Sequence, residues 1–513
     1  MTDNINIQME LEQPNGIEKI KTGIPGLDHI TAGGLPKGRS TLLVGSSGSC
    51  KTLLSIQYLV EGIKFYNDCG VFVTFEETPA DIIRNMRSFG WDLAGLVEAK
   101  KLAFVDVSPD PGGEVDVAGF FDLNALLARI EYAVASVVGE HKRVVVDSVS
   151  ALFSQFDNTS LVRRELFRIT AGLKMMGATS LITAERTEEY GNISRFDVEE
   201  FVSDNVIVLR HVLDEEKRRR TIEVLKFRGT THQNGEYPFT TSSHGIDVMP
   251  LSAMTLEMQS SDVRISSGNM DLDTMCGGGF FRDSILLASG ATGTGKTLLV
   301  TTFMNDGCQK NERSLVFAFE ESRSQLTRNA TGWGIDFESF EKKGLLKIVC
   351  TYPEISSLAD HLLRMKEIIE EFEPARIAVD SMSALERVST GKAFREFVIG
   401  LTSFIKTKQI VGLFTATAQS LLGGPSITEH HISTITDSII LLRYVELMGE
   451  MRRGITVLKM RGSMHEKTFR EYTIDAEGMH IGDAFRNVGG ILAGSPHQFL
   501  ANEQHKMGDM FGV

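Results

Sequence analysis

The chain has 513 residues, 42% hydrophobic and 23% charged, ordinary globular values that supply two cores and exclude a disordered chain. Lys and Arg number 53 against 67 Asp and Glu, a formal charge of -14, so the surface on average repels a polyanion and argues against a nucleic-acid partner. No apolar run approaches the ~20 residues of a membrane helix, and the polar, acidic N-terminus MTDNINIQMELEQPNG is neither a signal nor a transit peptide. A soluble, cytoplasmic protein with no membrane partner is expected. The run Lys217-Arg218-Arg219-Arg220 leaves a local basic channel open. Cys50, Cys69, Cys276, Cys308 and Cys350 are odd in number, widely spaced and without a C-x-x-C pair, so neither a disulfide framework nor a zinc site is expected.

From the N-terminus, residues 1–15 are expected as a flexible arm. Thr41 to Val44 reads as the first buried strand, because a continuous apolar run marks a parallel sheet covered on both faces. It runs into Gly45-Ser-Ser-Gly48-Ser49-Cys50-Lys51-Thr52 and a helical pattern. Val71 to Phe75 is the next strand and leads into Glu76-Glu77. Leu123 to Val138 reads as a covering helix, Val144 to Val146 as a strand ending in Asp147, and Ser180 to Thr183 as a further strand. The pattern then restarts. Ser284 to Ala288 leads into Gly290-Ala-Thr292-Gly293-Thr294-Gly295-Lys296-Thr297, FEE returns at Phe319, Leu362 to Phe372 reads as a covering helix, and VDSVSAL returns as VDSMSAL with Asp380.

The two halves are one design written twice. Lys51 and Lys296 lie 245 residues apart and the FEE blocks 244, while Asp147 and Asp380, Asp204 and Asp437, and Lys226 and Lys459 are each 233 apart. Five blocks in one order at a nearly fixed offset mark a domain duplication rather than a solenoid. The offset falls by 11 between FEE and VDS, and Pro109 to Gly119 is the expected insertion. Each copy is read as an α/β domain with a mainly parallel sheet. The first spans 16–248, a linker 249–262, the second 263–485, and a tail 486–513.

The motif at Gly290 to Thr297 is a complete G-x-x-x-x-G-K-T phosphate-binding loop between strand and helix. Its glycines let backbone N–H groups curl round phosphates at a helix N-terminus. Lys296 is expected to reach the β- and γ-phosphates of ATP, and Thr297 to ligate Mg²⁺. In the first copy Gly48, Ser49, Lys51 and Thr52 persist, but Cys50 replaces the second motif glycine. A Cβ there can crowd the phosphate or alter the backbone. Binding is expected all the same, with a weakened or redox-sensitive site as the alternative. Asp147 and Asp380 fit the carboxylate that holds Mg²⁺ through water. Glu76, Glu77, Glu320 and Glu321 can orient or deprotonate a nucleophile facing the γ-phosphate. Lys226 with Arg228, and Lys459 with Arg461, are alternate residues that share a strand face and can aim cations at one phosphate, often across a subunit boundary.

Together GLPKGRSTLLVGSSGSCKT, VFVTFEETPADIIRN, VRRELFRI, VSDNVIVLR, MCGGGFFRDSILLASGATGTGKTLL, AFEESRSQL, HISTITDS and KMRGSMH resemble the KaiC family of tandem RecA-like ATPases, from about Gly16 to Pro496. The resemblance implies a double-ring homohexamer with ATP between subunits, a slow ATPase in the first domain (CI), and an autokinase and autophosphatase in the second (CII), in circadian timing. It assigns nucleotide contacts in CI to Ser49, Lys51, Thr52, Ser88, Lys226, Arg228 and His232. In CII it assigns them to Thr292 through Thr297, Trp333, Arg453, Lys459, Arg461, Ser463 and His465. Glu320 is implied to be both Mg²⁺-linked and the base that activates the acceptor hydroxyl, and Ser433 and Thr434 match the phosphoacceptors.

At the offset of 233 those two hydroxyls align with Glu200 and Phe201, so the second copy alone can accept phosphate here. Each phosphate adds about -1.5 to -2 charge. Two departures stand out. Cys50 occupies a glycine position, and the tail after Gly494-Ser-Pro496 loses the pattern that KaiA recruits, which argues against KaiA dependence. A KaiB-type partner through CI is implied. The expectation is a KaiC-like Mg-ATP-dependent ATPase and Ser/Thr autokinase. The alternatives are a RecA- or helicase-like nucleic-acid motor, which shares the same motifs, and a regulatory ring that uses ATP for assembly alone.

Overall fold

The computed structural model describes residues 16–108, 123–153, 159–191, 202–214, 217–250, 260–418, 435–486, 488–491 and 497–498. The expected N-terminal arm, the expected insertion, Ser433, Thr434 and most of the expected tail lie outside the described residues. The chain divides into two compact units, Met1–Ala253 and Met254–Val513, a cut that falls inside the stretch read as linker.

The first unit is built on one nine-stranded sheet. Its strands are β1 (Ser40–Gly45), β2 (Cys69–Thr74), β3 (Leu102–Asp106), β4 (Lys142–Asp147), β5 (Thr179–Glu185), β6 (Asn205–Asp214), β7 (Lys217–Phe227), β8 (Glu236–Ser242) and β9 (Gly245–Val248). Across the sheet they run β3-β2-β4-β5-β1-β6-β7-β8-β9. The first six in that order are parallel and the last three join antiparallel. Side chains of a strand alternate between faces, so the apolar run of β1 serves two cores. Leu43 packs with Leu54 and Tyr58 of helix α1 (Lys51–Tyr66), whereas Leu42 and Val44 pack with Ile130 of α3 (Leu123–Ser136) and Leu166 of α4 (Thr159–Met175). Between them, α2 (Pro79–Met86) starts with Pro79 behind the cap Thr78, whose hydroxyl accepts from the Asp81 N–H at 3.2 Å.

The second unit repeats this frame. Its strands are β10 (Ile285–Gly290), β11 (Ser314–Ala318), β12 (Leu346–Cys350), β13 (Arg376–Asp380), β14 (Val411–Thr417), β15 (Ser438–Leu447), β16 (Glu450–Met460), β17 (Arg470–Asp475) and β18 (Gly478–Ala484). They run β12-β11-β13-β14-β10-β15-β16-β17-β18, the order of the first unit strand for strand. Helix α5 (Lys296–Gln309) follows β10, and α6 (Arg323–Gly332) starts from a capping box of Ser322 with Gln325. The expected helix 362–372 begins earlier, as α7 (Leu358–Phe372), because Ser357 and Asp360 form another capping box. The expectation of two tandem α/β domains with mainly parallel sheets therefore holds. Among the described residues no helix is long and apolar enough to cross a membrane.

Both units bury an arginine at the start of the strand that ends in the site aspartate. Arg143 donates to Asp68 Oδ2 at 2.7 Å and to the carbonyls of Tyr58 at 2.7 Å and Lys21 at 2.6 Å. Arg376 donates to Glu312 and Asp306, each at 2.7 Å, and to the carbonyl of Phe303 at 3.0 Å. A glycine makes room in each case. A Cβ on Gly62 of α1 would lie 2.2 Å from Arg143 Nε, and one on Gly307 of α5 would lie 2.7 Å from Arg376 Cδ. Removing one partner of such a pair strands the other charge and costs about 3–5 kcal/mol. Arg143→Met is therefore expected to destabilise the first unit by about that amount. Trp91 and Trp333 are the two tryptophans, one in each unit. Trp91 fluorescence in a Trp333→Phe background therefore reads the change on denaturant unfolding, and an unchanged midpoint would remove the pair from the stabilising core.

Candidate nucleotide-binding sites

Each P-loop leaves the C-terminal end of a central strand and enters a long helix. Lys51 Nζ folds back to the carbonyls of Gly45 at 2.9 Å and Ser46 at 3.0 Å, and Lys296 Nζ to Gly290 at 2.8 Å and Ala291 at 2.9 Å. Ser49 Oγ and Thr294 Oγ1 each close the turn on the carbonyl three residues back, at 2.7 Å. Gly48 and Gly293 take φ of +77° and +81°. Cys50, at φ 70° and ψ 28°, copies the left-handed conformation of Gly295 at 93° and 22°. A non-glycine residue pays about 1–2 kcal/mol there, yet the backbone of the loop is unaltered. Burial pushes the Cys50 thiol up despite the nearby Arg220 and Lys51, which opposes thiolate reactivity. Burial likewise lowers the ammonium pKa of Lys51 and Lys296, against the pull of Asp147 and Glu76 in one unit and Asp380 and Glu320 in the other.

The first turn of each P-loop helix is tied to the next strand but one. Thr52 Oγ1 donates to Asp147 Oδ2 at 2.7 Å and Thr297 Oγ1 to Asp380 Oδ2 at 2.8 Å. The other carboxylate oxygen accepts from Thr183 and from Thr415, each at 2.5 Å. Burial raises the Asp380 pKa, and these hydroxyls with Lys296 oppose the rise.

The glutamate pairs lie just past β2 and β11. Ser148 Oγ donates to Glu76 at 3.3 Å and Ser381 Oγ to Glu320 at 3.1 Å. Asn85 donates to Glu77 at 3.5 Å and Asn329 to Glu321 at 3.2 Å. Burial first, and then the charges of Glu185 and Asp147, push the Glu76 carboxyl above its ordinary range. Burial and Asp380 do the same for Glu321. Ser88, whose hydroxyl donates to the carbonyl of Asn85 at 2.8 Å, follows α2, and half-buried Trp333 caps α6.

Lys226 with Arg228 and Lys459 with Arg461 depart from the strand-face expectation. Strand β7 ends at Phe227 and β16 at Met460, so Arg228 and Arg461 sit in the turn beyond, ahead of Gly229 and Gly462 at φ +71° and +69°. The register places them decisively. Gly45 pairs with Leu209, whereas Lys226 pairs with Val206, three residues toward the opposite end of β6. At ~3.3 Å per residue that is roughly 10 Å away from the P-loop end. Lys226 Nζ then donates to Ser203 at 2.8 Å and the Arg228 guanidinium lies 3.8 Å from Asp204, both farther from the loop. Lys459 and Arg461 repeat this with Thr436 at 2.7 Å and Asp437 at 3.7 Å. His232, edge-on to Phe227, follows the same turn. So do Ser463, which accepts from Arg264 at 2.7 Å, and His465, whose buried Nδ1 has no hydrogen-bond partner.

Arg453 belongs to the other end. It pairs with Tyr444, whose hydroxyl lies 2.7 Å from where a Cβ on Gly293 would stand. Arg220 pairs with His211, which lies 3.4 Å from the Cβ position of Gly48. Among the described residues both arginines carry a buried Nε without a partner, an orphaned donor beside each loop that suits an anionic ligand such as ATP. Sequence reading placed Arg220 only in a basic run and not at the nucleotide site, although the offset of 233 from Arg453 points to it. It also missed Arg387 of helix α8 (Met382–Arg387), which donates to Glu320 Oε1 at 2.6 Å.

A sequence model of the KaiC ATPase family matches residues 20–253 and again 265–485. The chain belongs to the KaiC family. It is 60% identical over 501 residues to a circadian clock protein KaiC3 of Synechocystis sp., covering 98% of this chain and 99% of that one. It is 57% identical to a circadian clock oscillator protein KaiC of Picosynechococcus sp., covering 96% and 95%, and 56% identical to that of Synechococcus elongatus, covering 97% and 96%. Two KaiC ATPase domains in one chain match the two P-loops, and the nucleic-acid motor shares only the coarser fold.

A carboxylate whose pKa is raised acts as a base only above that raised pKa. If Glu76 is the base of the first site, ATP hydrolysis in a Lys296→Ala background falls off toward acid at a pH above the ordinary carboxylate range, and Glu76→Gln removes that limb. An acid limb at an ordinary carboxylate pH would assign the base elsewhere.

Proposed function

We propose that this KaiC-family chain is a Mg-ATP-dependent ATPase and Ser/Thr autokinase and autophosphatase working as a homohexameric double ring. Residues 16–248 act as the ATPase domain, 249–262 as the linker, 263–485 as the autokinase domain and 486–513 as the tail. The observation that carries the ring is the register of Lys226 and Lys459. A cation directed away from its own chain's P-loop can serve the nucleotide of another copy, and repeating that head-to-tail contact closes a ring.

Thr52 with Asp147 and Thr297 with Asp380, joined by Glu320 in the second domain, are the residues that would hold Mg²⁺. Hydroxyl and carboxylate oxygens are the hard donors this ion takes while keeping several waters. Among the described residues no cluster of three or more His, Cys, Asp or Glu is arranged as a dedicated cage, in keeping with so open a site. When bound, the ion offsets charge on the β- and γ-phosphates. In the first domain Glu76 or Glu77 orients and deprotonates water, which gives slow hydrolysis. In the second, Glu320 takes the proton of Ser433 or Thr434 as that hydroxyl oxygen bonds to the γ-phosphorus. The bond to the bridging oxygen breaks and ADP leaves. Arg387, 2.6 Å away, holds Glu320 in position. The relatives are named as circadian clock proteins, and a timing role in the cytoplasm completes the reading, with a KaiB-type partner on the first domain and no dependence on KaiA.

Glu320→Gln is expected to lower phosphate incorporation about 10²- to 10⁴-fold while rings still assemble. Mass spectrometry of the peptide spanning His431 to Ser438 after incubation with Mg-ATP reads it, and parental incorporation in the variant would overturn the mechanism. The trans role has its own test. Lys296→Ala and Lys459→Ala chains are each expected to be inactive, and mixing them before assembly is expected to restore activity at roughly a quarter of the interfaces. No recovery in mixed rings would return Lys459 to a role within its own chain.

A further inference from the structure

We infer that Cys50 is a positioning residue of the first P-loop, seated on a hairpin whose Thr241 and Ile246 leave room for it, so that the loop keeps its grip on a nucleoside triphosphate. The inference rests on the reading of this loop as a nucleotide site. It starts from the second unit, where the same place is glycine. A Cβ built on Gly295 would meet Ile474 Cδ1 at 2.7 Å and Met479 Cε at 3.2 Å. The side chain of that position therefore points into the β17–β18 hairpin and away from the phosphate cradle.

Cys50 has the same backbone conformation, so its Cβ takes the same direction. The hairpin it meets has the same register, with Thr241 opposite Ile246 in β8–β9 where Ile474 stands opposite Met479 in β17–β18. Both partners are smaller in the first unit. Threonine lacks the terminal methyl of isoleucine that meets the Gly295 Cβ, and isoleucine is shorter than methionine. Cys50 packs, partly buried, against the core cluster that contains Ile246 and Phe239, and its thiol donates to the Gly48 carbonyl at 3.8 Å. Arg220, with its orphaned buried Nε, lies near enough to act on the Cys50 thiol, so an anion-seeking donor remains at the loop. The cysteine is thus accommodated from behind, on the hairpin side of the loop. The notion that this Cβ crowds the phosphate is corrected by its direction.

The test is a double-mutant cycle on the full chain, with Mg²⁺ and a fluorescent non-hydrolysable ATP analogue as the probe and Lys296→Ala silencing the second site. Refilling the space with Thr241→Ile is expected to weaken binding about tenfold, and Cys50→Gly in the same chain is expected to restore it, a second-site rescue that general destabilisation does not produce. The mirror experiment, in a Lys51→Ala background, uses Gly295→Cys, expected to weaken the second site by a similar factor, and Gly295→Cys with Ile474→Thr, expected to recover it. A double variant no better than the single one, in either site, would overturn the coupling. Absence of binding in the Lys296→Ala parent would instead overturn the underlying reading of the first loop as a nucleotide site, while the mirror experiment still tests the packing geometry on the second.

Discussion

Each unit is organised around one hydroxyl–carboxylate bond, Thr52 to Asp147 at 2.7 Å and Thr297 to Asp380 at 2.8 Å. It joins the first turn of the P-loop helix to the end of a strand two positions away in the sheet. The bond requires that the helix start and the strand end lie at the same end of the parallel array. The buried arginine at the other end of the same strand performs the complementary task. Arg143 and Arg376 pin the far end of β4 and β13 to the P-loop helix through carbonyls of Tyr58 and Phe303. One strand is thus anchored to one helix twice, at the site and opposite it. That rigidity lets a loop of small residues hold a set of positive-φ conformations that would not persist alone.

Much of this frame was legible in the sequence because duplication made each motif its own control. A glycine-rich loop, a Val/Ile run ending in Asp and a Glu pair are each common. Recurring together at a fixed offset, they identify the strands, the helix between them and the end of the sheet where the site lies. Element ends were less legible. Leu358 starts α7 ahead of the apolar stripe because Ser357 and Asp360 cap it, a polar signal that periodicity ignores. The strand-face reading of Lys226 with Arg228 failed for a related reason. Phe227 ends the strand, and alternation says nothing of residues in a turn.

What the sequence could not convey is which end of the sheet a residue occupies when the chain reverses. Lys226 and Arg220 are six residues apart on one strand, yet they belong to opposite ends. Arg220 stands beside Gly48 through its partner His211, and Lys226 stands beside Val206, the neighbour of Leu42. The antiparallel β6–β7 hairpin produces this division, one arm reaching the loop and the other leading away from it. Arg453 and Lys459 divide in the same way on β16. A list of cations near a nucleotide motif is therefore two lists, one at the P-loop end of the sheet and one at the opposite end. The pairing register separates them without any knowledge of the assembly.

The two copies share geometry but not the electrostatics of their glutamates. In the first, Gly45 pairs with Glu185 at the end of β5, and this third carboxylate raises Glu76 together with Asp147. In the second, Gly290 pairs with Thr417, so the extra acid is gone, and Arg387 donates directly to Glu320. The position of Arg387 at the offset of 233 is Ser154, which carries no charge. Burial and neighbouring acids therefore push the Glu76 carboxyl up, whereas Glu320 is fixed in place by a hydrogen-bonding arginine. Duplication kept the fold and the phosphate cradle, and two exchanges, Glu185 for Thr417 and Ser154 for Arg387, give the two glutamates different neighbours.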